Sequence, residues 1–335
     1  MKKLLLTTAA FTAASTALFA QSLNITAPGY SGGQLFGATP GFVIEGLAAA
    51  PGGDVFYLER HSTRTLPTKL YSRSAGDGYG TATELFNFGA APFGSFALWK
   101  NGRVFFGENS TGVVRVLNPD LTTDILGIVP GNYDAAFAGG SLFLSHNPGG
   151  QQTALNKISR YELVPEAGGD GGLMLGPDDV IVDTPNDFSG PLEFDAAGGL
   201  LYGGTFRRPG LHRFTDAQIA GATGATSLGL NSAQLVLAGL TSAYFAVGGP
   251  AALWQSDFGS LNLIDPFAGT STPVGDSPDY GIGQLDSADS RLFVAVTNGF
   301  YDHSAVFLVV PEPGSALLLT LGVAALTTRR RRRID

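Results

Sequence analysis

Gly52-Gly53-Asp54-Val55-Phe56-Tyr57 is a glycine turn followed at once by an apolar strand, and variants of it recur along the chain. The other occurrences begin at Asn101, Gly139, Gly198, Gly248 and, without the glycine, Ala288. Measured between equivalent turn positions, they lie 49, 38, 59, 50 and 41 residues apart, with a mean near 47. Such a degenerate period indicates one supersecondary unit that occurs six times.

Each turn is flanked by further short apolar or alternating runs, which are typical of strands. The runs before the turns are 42–48, 95–99, 134–137, 192–194, 243–247 and 282–285. Those after the turn's own strand are 69–73, 113–117, 157–163, 211–214, 261–264 and 305–309. Five units have a fourth run, at 84–88, 124–128, 180–182, 235–238 and 271–274. Only 216–220 and 232–237 show a helical pattern.

Four strands per unit of about 47 residues predict an all-β chain that folds as a β-propeller of four-stranded blades. Six blades fit best, and five or seven are the alternatives. The sixth unit lacks its fourth strand, and Leu23–Thr26 is predicted to supply it and close the ring, which removes exposed sheet edges. A β-sandwich also has short strands, but it does not need this fourfold order six times. The body resembles six-bladed propellers in general, without a WD, kelch or calcium-binding repeat signature.

The N-terminus has the pattern of a signal peptide. Lys2 and Lys3 precede an uncharged stretch, Leu4–Phe19, of apolar and small residues. A cut after Ala20 would leave the polar Gln21 and Ser22 at the new terminus, and a cut before Leu18 is the alternative. Residues 1–20 are therefore predicted to direct export through the Sec translocon. The body is predicted to span 21–310 and the C-terminal segment 311–335.

The C-terminus has three parts, and Val310 precedes them. The first is a box, Pro311, Glu312 and Pro313, whose prolines fix φ and remove backbone donors, so we expect an accessible, extended hinge. The second is an apolar run, 314–328, predicted to be an anchor helix in the membrane. The third is a charge cluster on the cytoplasmic side, made of Arg329, Arg330, Arg331, Arg332 and Arg333.

This order of box, apolar run and arginines resembles the PEP-CTERM sorting signal of Gram-negative bacterial exported proteins. The resemblance covers less than a tenth of the chain. It implies an inner-membrane intermediate that an exosortase cuts at the Pro-Glu-Pro box, and then release to the cell surface or an exopolysaccharide matrix. It implies nothing about the activity of the body.

The net charge of the body limits the kinds of partner that it can bind. The whole chain has 20 basic and 28 acidic residues. Without Lys2, Lys3, the five terminal arginines, Glu312 and Asp335, the body has 13 basic and 26 acidic residues, about −13 in net charge. Such a surface repels nucleic acid and anionic lipid. The chain has no cysteine, so no disulfide supports the fold outside the cell.

Polar and aromatic residues concentrate in the loops that a propeller gathers at one end of its channel. The predicted binding face comprises His61, Glu108, Asn109, His146, Asn147, Asp187, Asp257 and Tyr301. The alternative for each is that it serves the turn itself, since Asn and Asp stabilise turns by bonding to nearby backbone.

Three kinds of site fit this face. The first is a Ca²⁺ held by oxygens of Glu108, Asn109, Asn147, Asp187 and Asp257. The second is a transition-metal or acid–base site from His61, His146 and His303, which lack a short zinc spacing. The third is a glycan- or protein-binding face, with flat rings from Tyr133, Phe188, Phe206, Phe258, Tyr280 and Tyr301.

No G-x-S-x-G, H-E-x-x-H, P-loop or dinucleotide fingerprint is present, and the sequence assigns no catalytic residue. We therefore expect a non-catalytic binding propeller for a glycan or a matrix protein, without a cofactor. The alternative is a hydrolase or lactonase with a divalent cation, such as Ca²⁺, at the mouth of the channel. This alternative resembles gluconolactonase-type propellers in blade number and site location only.

Overall fold

The fold is a ring of six sheets around a central channel. The computed structural model describes residues 22–89, 93–149, 155–166, 172–185, 187–204, 207–240, 242, 244–248, 253–278, 280–298 and 302–312. Its strands form six sheets, or blades, and the innermost strands of successive blades lie side by side. The sixth innermost strand also contacts the first, so the ring is closed. The predicted six-bladed propeller is confirmed.

Each blade runs outward from the channel through four strands that pair in order. The innermost strands are β3 (Phe42–Ala49), β7 (Gly94–Lys100), β11 (Asn132–Ala138), β16 (Leu192–Phe194), β21 (Tyr244–Val247) and β25 (Tyr280–Ala288). The second strands are β4 (Val55–His61), β8 (Arg103–Glu108), β12 (Ser141–His146), β17 (Leu200–Gly204), β22 (Leu253–Ser256) and β26 (Arg291–Asn298). The third strands are β5 (Lys69–Arg73), β9 (Val113–Leu117), β13 (Leu155–Pro165), β18 (Gly210–Phe214), β23 (Ser260–Asp265) and β27 (Ser304–Pro311). The outer strands are β6 (Thr83–Asn87), β10 (Thr123–Ile128), β15 (Asp179–Pro185), β20 (Gln234–Ala238), β24 (Thr270–Asp276) and, in the sixth blade, β2 (Tyr30–Gly37).

An N-terminal strand closes the last blade, as predicted, but its residues were predicted wrongly. The closing strand is β2, which pairs with β27 from Tyr30 opposite Pro311 to Gly37 opposite Ala305. The predicted segment Leu23–Thr26 instead contributes β1 (Asn24–Ile25), a fifth strand on the edge of the fifth blade. The two strands pack so closely that only glycine fits at position 32, since a Cβ there would lie 2.7 Å from Cγ1 of Ile25.

The third and fourth blades carry the elements that do not belong to the ring pattern. Strand β14 (Leu173–Leu175) extends β13, and β19 (Leu228–Gly229) adds a parallel partner to β15. The helix α1 (Asp216–Gly221) begins at a capping box of Thr215 and Gln218, which confirms the helical pattern at 216–220. The helix at 232–237 was a wrong prediction, because a 3₁₀ turn and β20 occupy that stretch.

The hydrophobic core is divided among the interfaces between neighbouring blades. Leu58 and Phe106 belong to the cluster between the first and second blades, and Phe143 and Tyr202 to the one between the third and fourth. Burial of apolar side chains therefore holds neighbouring blades together. Polar side chains line parts of the channel.

Most of the two predicted targeting segments lies outside the described residues. The predicted signal peptide, 1–20, and the predicted anchor, 314–328, lie outside the described residues. Within the described ranges no helix is long and apolar enough to cross a membrane.

Candidate functional site

Four innermost strands are bulged at the same end of the channel. The regular register is interrupted between Ile44 and Gly46, Gly94 and Ala97, Asn132 and Asp134, and Ile282 and Leu285. The residues inside these interruptions include Glu45, Ser95, Tyr133 and Gln284, and all four line one cavity. A bulge re-aims side chains away from the regular alternation, so the bulges build the wall of this cavity.

The cavity has a volume of about 310 Å³ and lies where innermost strands begin and second strands end. Further lining residues come from the ends of second strands, from the loops that follow them and from β21: Arg60, Asn109, Tyr244, Phe258 and Asn298. Five of the six blades contribute to the lining, since only the fourth is absent among the lining residues that are described.

Glu45 and Arg60 form an ion pair in the cavity. Arg60 Nε donates to Glu45 Oε1, and its Nη1 donates to the carbonyl oxygen of His61 at 3.1 Å. Glu45 Oε2 is buried and accepts no hydrogen bond from the described protein atoms. Burial raises the pKa of Glu45, against the opposing effect of Arg60 and Arg64. The second carboxylate oxygen is thus an acceptor left for a ligand or a water molecule.

Tyr133 and Tyr244 meet across the channel. Their rings are stacked with centroids 6.0 Å apart and planes 9° apart, although β16 lies between their strands in the ring order. Burial raises the pKa of Tyr133 to about 12, and a side-chain hydrogen bond with Tyr244 opposes the rise. Both phenols therefore stay protonated at neutral pH and can donate or accept hydrogen bonds.

Phe258 is an exposed aromatic ring on the rim of the cavity. Its side chain is 44% exposed, and its backbone has a φ of 71°, a left-handed conformation that is unfavourable for a bulky residue. The carbonyl oxygen of Phe258 accepts a hydrogen bond of 2.7 Å from Ile282 N–H, which fixes the loop to the next blade. The fold thus holds an apolar ring at the mouth at some conformational cost, as often occurs at binding sites.

Three carboxyl groups on innermost strands are not among the residues that line the cavity: Asp134, Glu193 and Asp286. Asp134 Oδ2 accepts from Leu192 N–H at 2.8 Å, and Asp286 Oδ2 from Ala49 N–H at 2.7 Å, so each links two blades. Burial raises the pKa of Asp134 and of Asp286 to about 7. Burial and then the charges of Asp286 and Asp134 raise the pKa of Glu193 to about 8.

Most residues of the predicted binding face are buried and bonded within the protein. Glu108 pairs with Arg115 at 2.6 Å, and Asp187 Oδ2 accepts from the Tyr202 hydroxyl at 3.0 Å. His146 Nε2 lies 2.8 Å from Ser159 Oγ, and burial lowers the pKa of His146 to about 4. Asn147 Oδ1 accepts from Gly149 N–H at 3.2 Å. Asn109 is the member of the predicted face that lines the cavity.

The remaining predicted residues lie at strand ends or in loops. His61 Nδ1 lies 2.8 Å from Thr63 Oγ1, Asp257 Oδ1 accepts from Ser260 N–H at 2.6 Å, and His303 Nδ1 lies 2.8 Å from Asp302 Oδ1. Among the predicted rings, Tyr133 and Phe258 line the cavity, and Phe188 lies under Arg207. Tyr301 and Phe206 are outside the described residues, and only the backbone of Tyr280 is described.

Within the part of the chain that is described, no three His, Asp or Glu side chains are grouped so that they could hold a metal ion. The carboxylates and histidines that were predicted to share a metal site instead bond to neighbouring turn and strand residues. The sequence analysis missed Glu45 and Tyr244, because it searched the loops and not the innermost strands. The position of Glu45 and Tyr244 at the start of innermost strands is the signal that could have found them.

The C-terminal box begins inside the last blade. Pro311 is the final residue of β27, and Glu312 N–H donates to the carbonyl oxygen of Gly29 at 2.9 Å. Pro311 is extended and exposed, as predicted, but it belongs to a paired strand and is not a hinge. Pro313 and Arg329–Arg333 lie outside the described residues.

Residues 309–333 match the PEP-CTERM protein-sorting motif family. The chain carries a PEP-CTERM sorting signal. The PEP-CTERM signal implies that the protein is exported, is anchored in the membrane before processing, and is processed by an exosortase. No curated protein matches the chain.

The body of this PEP-CTERM protein is similar in fold to several solved propellers. A gluconolactonase from Xanthomonas campestris superposes with a TM-score of 0.60 at 16% identity, over 88% of this chain and 96% of that one. A calcium-binding regucalcin from Agrobacterium tumefaciens has a TM-score of 0.56 at 14% identity, over 84% and 94%. A virginiamycin B lyase from Staphylococcus aureus has 0.54 at 12%, over 84% and 100%. At these identities the likeness shows the fold alone.

Proposed function

We propose that the protein is an exported, exosortase-processed propeller that binds a neutral glycan in the cavity at its channel mouth, at the cell surface or in an exopolysaccharide matrix. The observation that carries the proposal is one cavity that combines an exposed ring, Phe258, with a buried acceptor that has no partner, Glu45 Oε2. Sugars present apolar ring faces and hydroxyl groups together, and these two features match them.

The size of the cavity favours a small part of a glycan. A volume of about 310 Å³ is at the lower end of the ~300–1,000 Å³ typical of small-molecule sites. It suits one or two sugar units at the end of a chain rather than a protein surface. Asn109 and Gln284 line the same cavity, and their NH2 groups donate to the backbone carbonyl oxygens of Asn132 and Glu45. Their amide oxygens can accept hydrogen bonds from hydroxyl groups.

The charge of the site favours a neutral ligand. Glu45 is paired with Arg60, so the two lining charges balance. The body as a whole carries about −13, which disfavours a polyanionic chain. A protein partner, the other possibility raised by the sequence, would need a broader surface and is an outcome of the test below.

Phe258→Ala is expected to weaken glycan binding at least tenfold, because loss of ring stacking in a sugar complex removes about 1.4 kcal/mol or more. A glycan array identifies the ligand with wild-type protein, and titration calorimetry then compares the variants. Phe267→Ala is the matched control, since Phe267 is also exposed, at 57%, in the turn between β23 and β24 of the same blade. That variant should bind as wild type does. Equal affinity in both variants, or binding only of proteins, contradicts the proposal.

The second candidate is a hydrolase or lactonase with a divalent cation in the channel mouth. What supports it is the shared fold with a gluconolactonase and a calcium-binding regucalcin. Glu45 Oε2 and the amide oxygens of Asn109 and Gln284 are oxygen donors of the kind that Ca²⁺ prefers. They could hold such an ion, which would polarise a bound ester or lactone carbonyl.

We expect the melting temperature of the body to be the same with calcium and with chelator, because Glu45 is the one carboxylate that lines the described cavity and it is already paired with Arg60. An ion bound only to the folded state at a hundredfold excess over its Kd would add about 2.7 kcal/mol. Thermal unfolding with calcium and then with EDTA checks this. A reversible rise of several degrees, lost in Glu45→Gln, would favour the hydrolase.

A further inference from the structure

The start of the processing box is paired with the N-terminal strand β2 and the residue before it. Pro311 is paired with Tyr30, Val310 with Ser31, and the Glu312 N–H group donates to the Gly29 carbonyl oxygen at 2.9 Å. No spacer separates the box from the core, since Val309, two residues earlier, is 1% exposed and pairs with β26 as well as β2. Residues 22–37, here called the N-terminal latch, therefore hold the first half of the box.

The latch is itself anchored on two blades. The Tyr30 ring packs edge-on against Trp254 of the fifth blade, with centroids 5.4 Å apart and planes at 86°. Strand β1 extends the fifth blade by pairing with β24, while β2 completes the sixth. Release of the box from Gly29 and Tyr30 thus means opening contacts at the seam between two blades.

A protease that reads a linear motif binds it as an extended strand through its backbone groups. In the folded chain Val310 and Glu312 are already paired with β2 and Gly29, and Pro311 between them has no backbone N–H group. The side chains of Pro311 and Glu312 are exposed. An enzyme can therefore contact these side chains, but the paired backbone cannot enter its active-site cleft. Strand ends open locally at a free-energy cost below that of global unfolding.

We propose that the N-terminal latch controls C-terminal processing: the exosortase cuts only chains in which Gly29 and Tyr30 have separated from Pro311 and Glu312. When opening and closing are fast compared with cleavage, the processing rate follows the population of open chains. Release from the membrane is then linked to the state of the last blade, and a chain with a fully closed latch stays anchored longer. This link does not depend on any ligand in the channel.

A disulfide across the latch tests the proposal directly. Ser31 and Val310 are cross-strand partners, whose Cα atoms in an antiparallel pair are about 4.5–5.5 Å apart, within the ~4.4–6.8 Å that a disulfide spans. The chain has no other cysteine, so the bond in S31C/V310C is unambiguous. In cells with a cognate exosortase, we expect the oxidised double variant to be processed at least tenfold more slowly than either single variant, and dithiothreitol to restore its rate. Processing of the oxidised chain at the rate of the single variants overturns the proposal.

A second variant covers the case in which the disulfide does not form. Insertion of Gly-Ser-Gly-Ser between Val310 and Pro311 moves the box away from Gly29 and should speed processing at least threefold over wild type. The same insertion in the turn at Gly139 and Gly140, between β11 and β12, is the matched control and should leave the rate unchanged. Equal rates for the box insertion and wild type contradict control by the latch.

Discussion

Deletion of residues 22–37 is expected to abolish cooperative unfolding of the propeller body. It removes β1 and β2 and leaves one edge of β27 unpaired along the segment that now faces Tyr30–Gly37. It also removes Phe36, which is buried against Tyr57 and Tyr79 of the first blade at centroid distances of 5.1 and 6.2 Å.

The expected size of this effect is comparable with the whole stability of a domain. Loss of a buried phenylalanine side chain alone costs about 3–5 kcal/mol, against a total of about 5–15 kcal/mol. An exposed edge on β27 also invites aggregation. Circular dichroism and calorimetry of residues 38–312 should therefore show no sharp transition, or the protein should be insoluble.

Deletion of residues 22–26 is the matched control, because it removes β1 and spares β2. Strand β1 pairs at only two positions, Asn24 with Asp276 and Ile25 with Gly275, so we expect a fall in melting temperature of a few degrees with cooperativity retained. If residues 38–312 melt as sharply as 22–312 and within a few degrees of them, β2 does not close the ring.

The melting temperature is also expected to fall as the pH rises from 6.5 to 8.5. The pKa of Asp134 and of Asp286 is raised by burial to about 7 and that of Glu193 to about 8, whereas these carboxyls titrate near 4 when unfolded. The folded state alone therefore holds their protons at pH 6.5. That contribution to stability is lost as the pH passes through the folded pKa values.

Burial of His146 acts in the opposite direction, but at lower pH. Its pKa is lowered to about 4, so the unfolded chain takes up the proton first and stability falls as the pH drops below about 6.5. Burial lowers the pKa of His212 as well, but between pH 6.5 and 8.5 the remaining effect of the two histidines is small beside that of the carboxyls. Burial also raises the pKa of Glu45 and Glu59, which act in the same direction as the channel carboxyls. Allowing for water in the channel, we expect a loss of roughly 1–3 kcal/mol, or about 5 °C.

Differential scanning calorimetry at the two pH values checks this expectation. The triple variant Asp134→Asn, Glu193→Gln and Asp286→Asn should show a much smaller difference, since amides keep an oxygen for Leu192 N–H and Ala49 N–H but do not titrate. Glu84→Gln removes an exposed carboxyl on β6 and should keep the wild-type dependence. A wild-type melting temperature that rises over this window would show that the channel carboxyls are already ionised in the folded state.

The blades were predictable because each is built from neighbouring strands joined by short glycine turns, such as Gly139-Gly140 between β11 and β12. Strand β2 was not, for two physical reasons. Its sequence, Tyr30-Ser-Gly-Gly-Gln-Leu-Phe-Gly, has a low strand propensity, and its partner β27 lies at the other end of the body. The position of β2 is set by its pairing with β27, and no local sequence pattern encodes a contact between the two chain ends.

The sequence predicted a binding face at one end of the channel, but the cavity in the structure has a largely different lining. Several residues of the predicted face, such as Glu108 and Asp187, are bonded within the protein. Glu45 and Tyr133 face the cavity because bulges interrupt the register of β3 and β11. A period of two residues predicts the faces of a regular strand, and it fails where a bulge adds a residue.

The most direct measurement is a crystal structure of residues 22–312 with the glycan selected on the array. We predict a sugar ring in the channel-mouth cavity, in contact with Phe258, with a hydroxyl group within about 3 Å of Glu45 Oε2, as a hydrogen bond requires. A glycan bound on the outer strands or at the opposite end of the channel, with the cavity filled by water or by a metal ion, would contradict it.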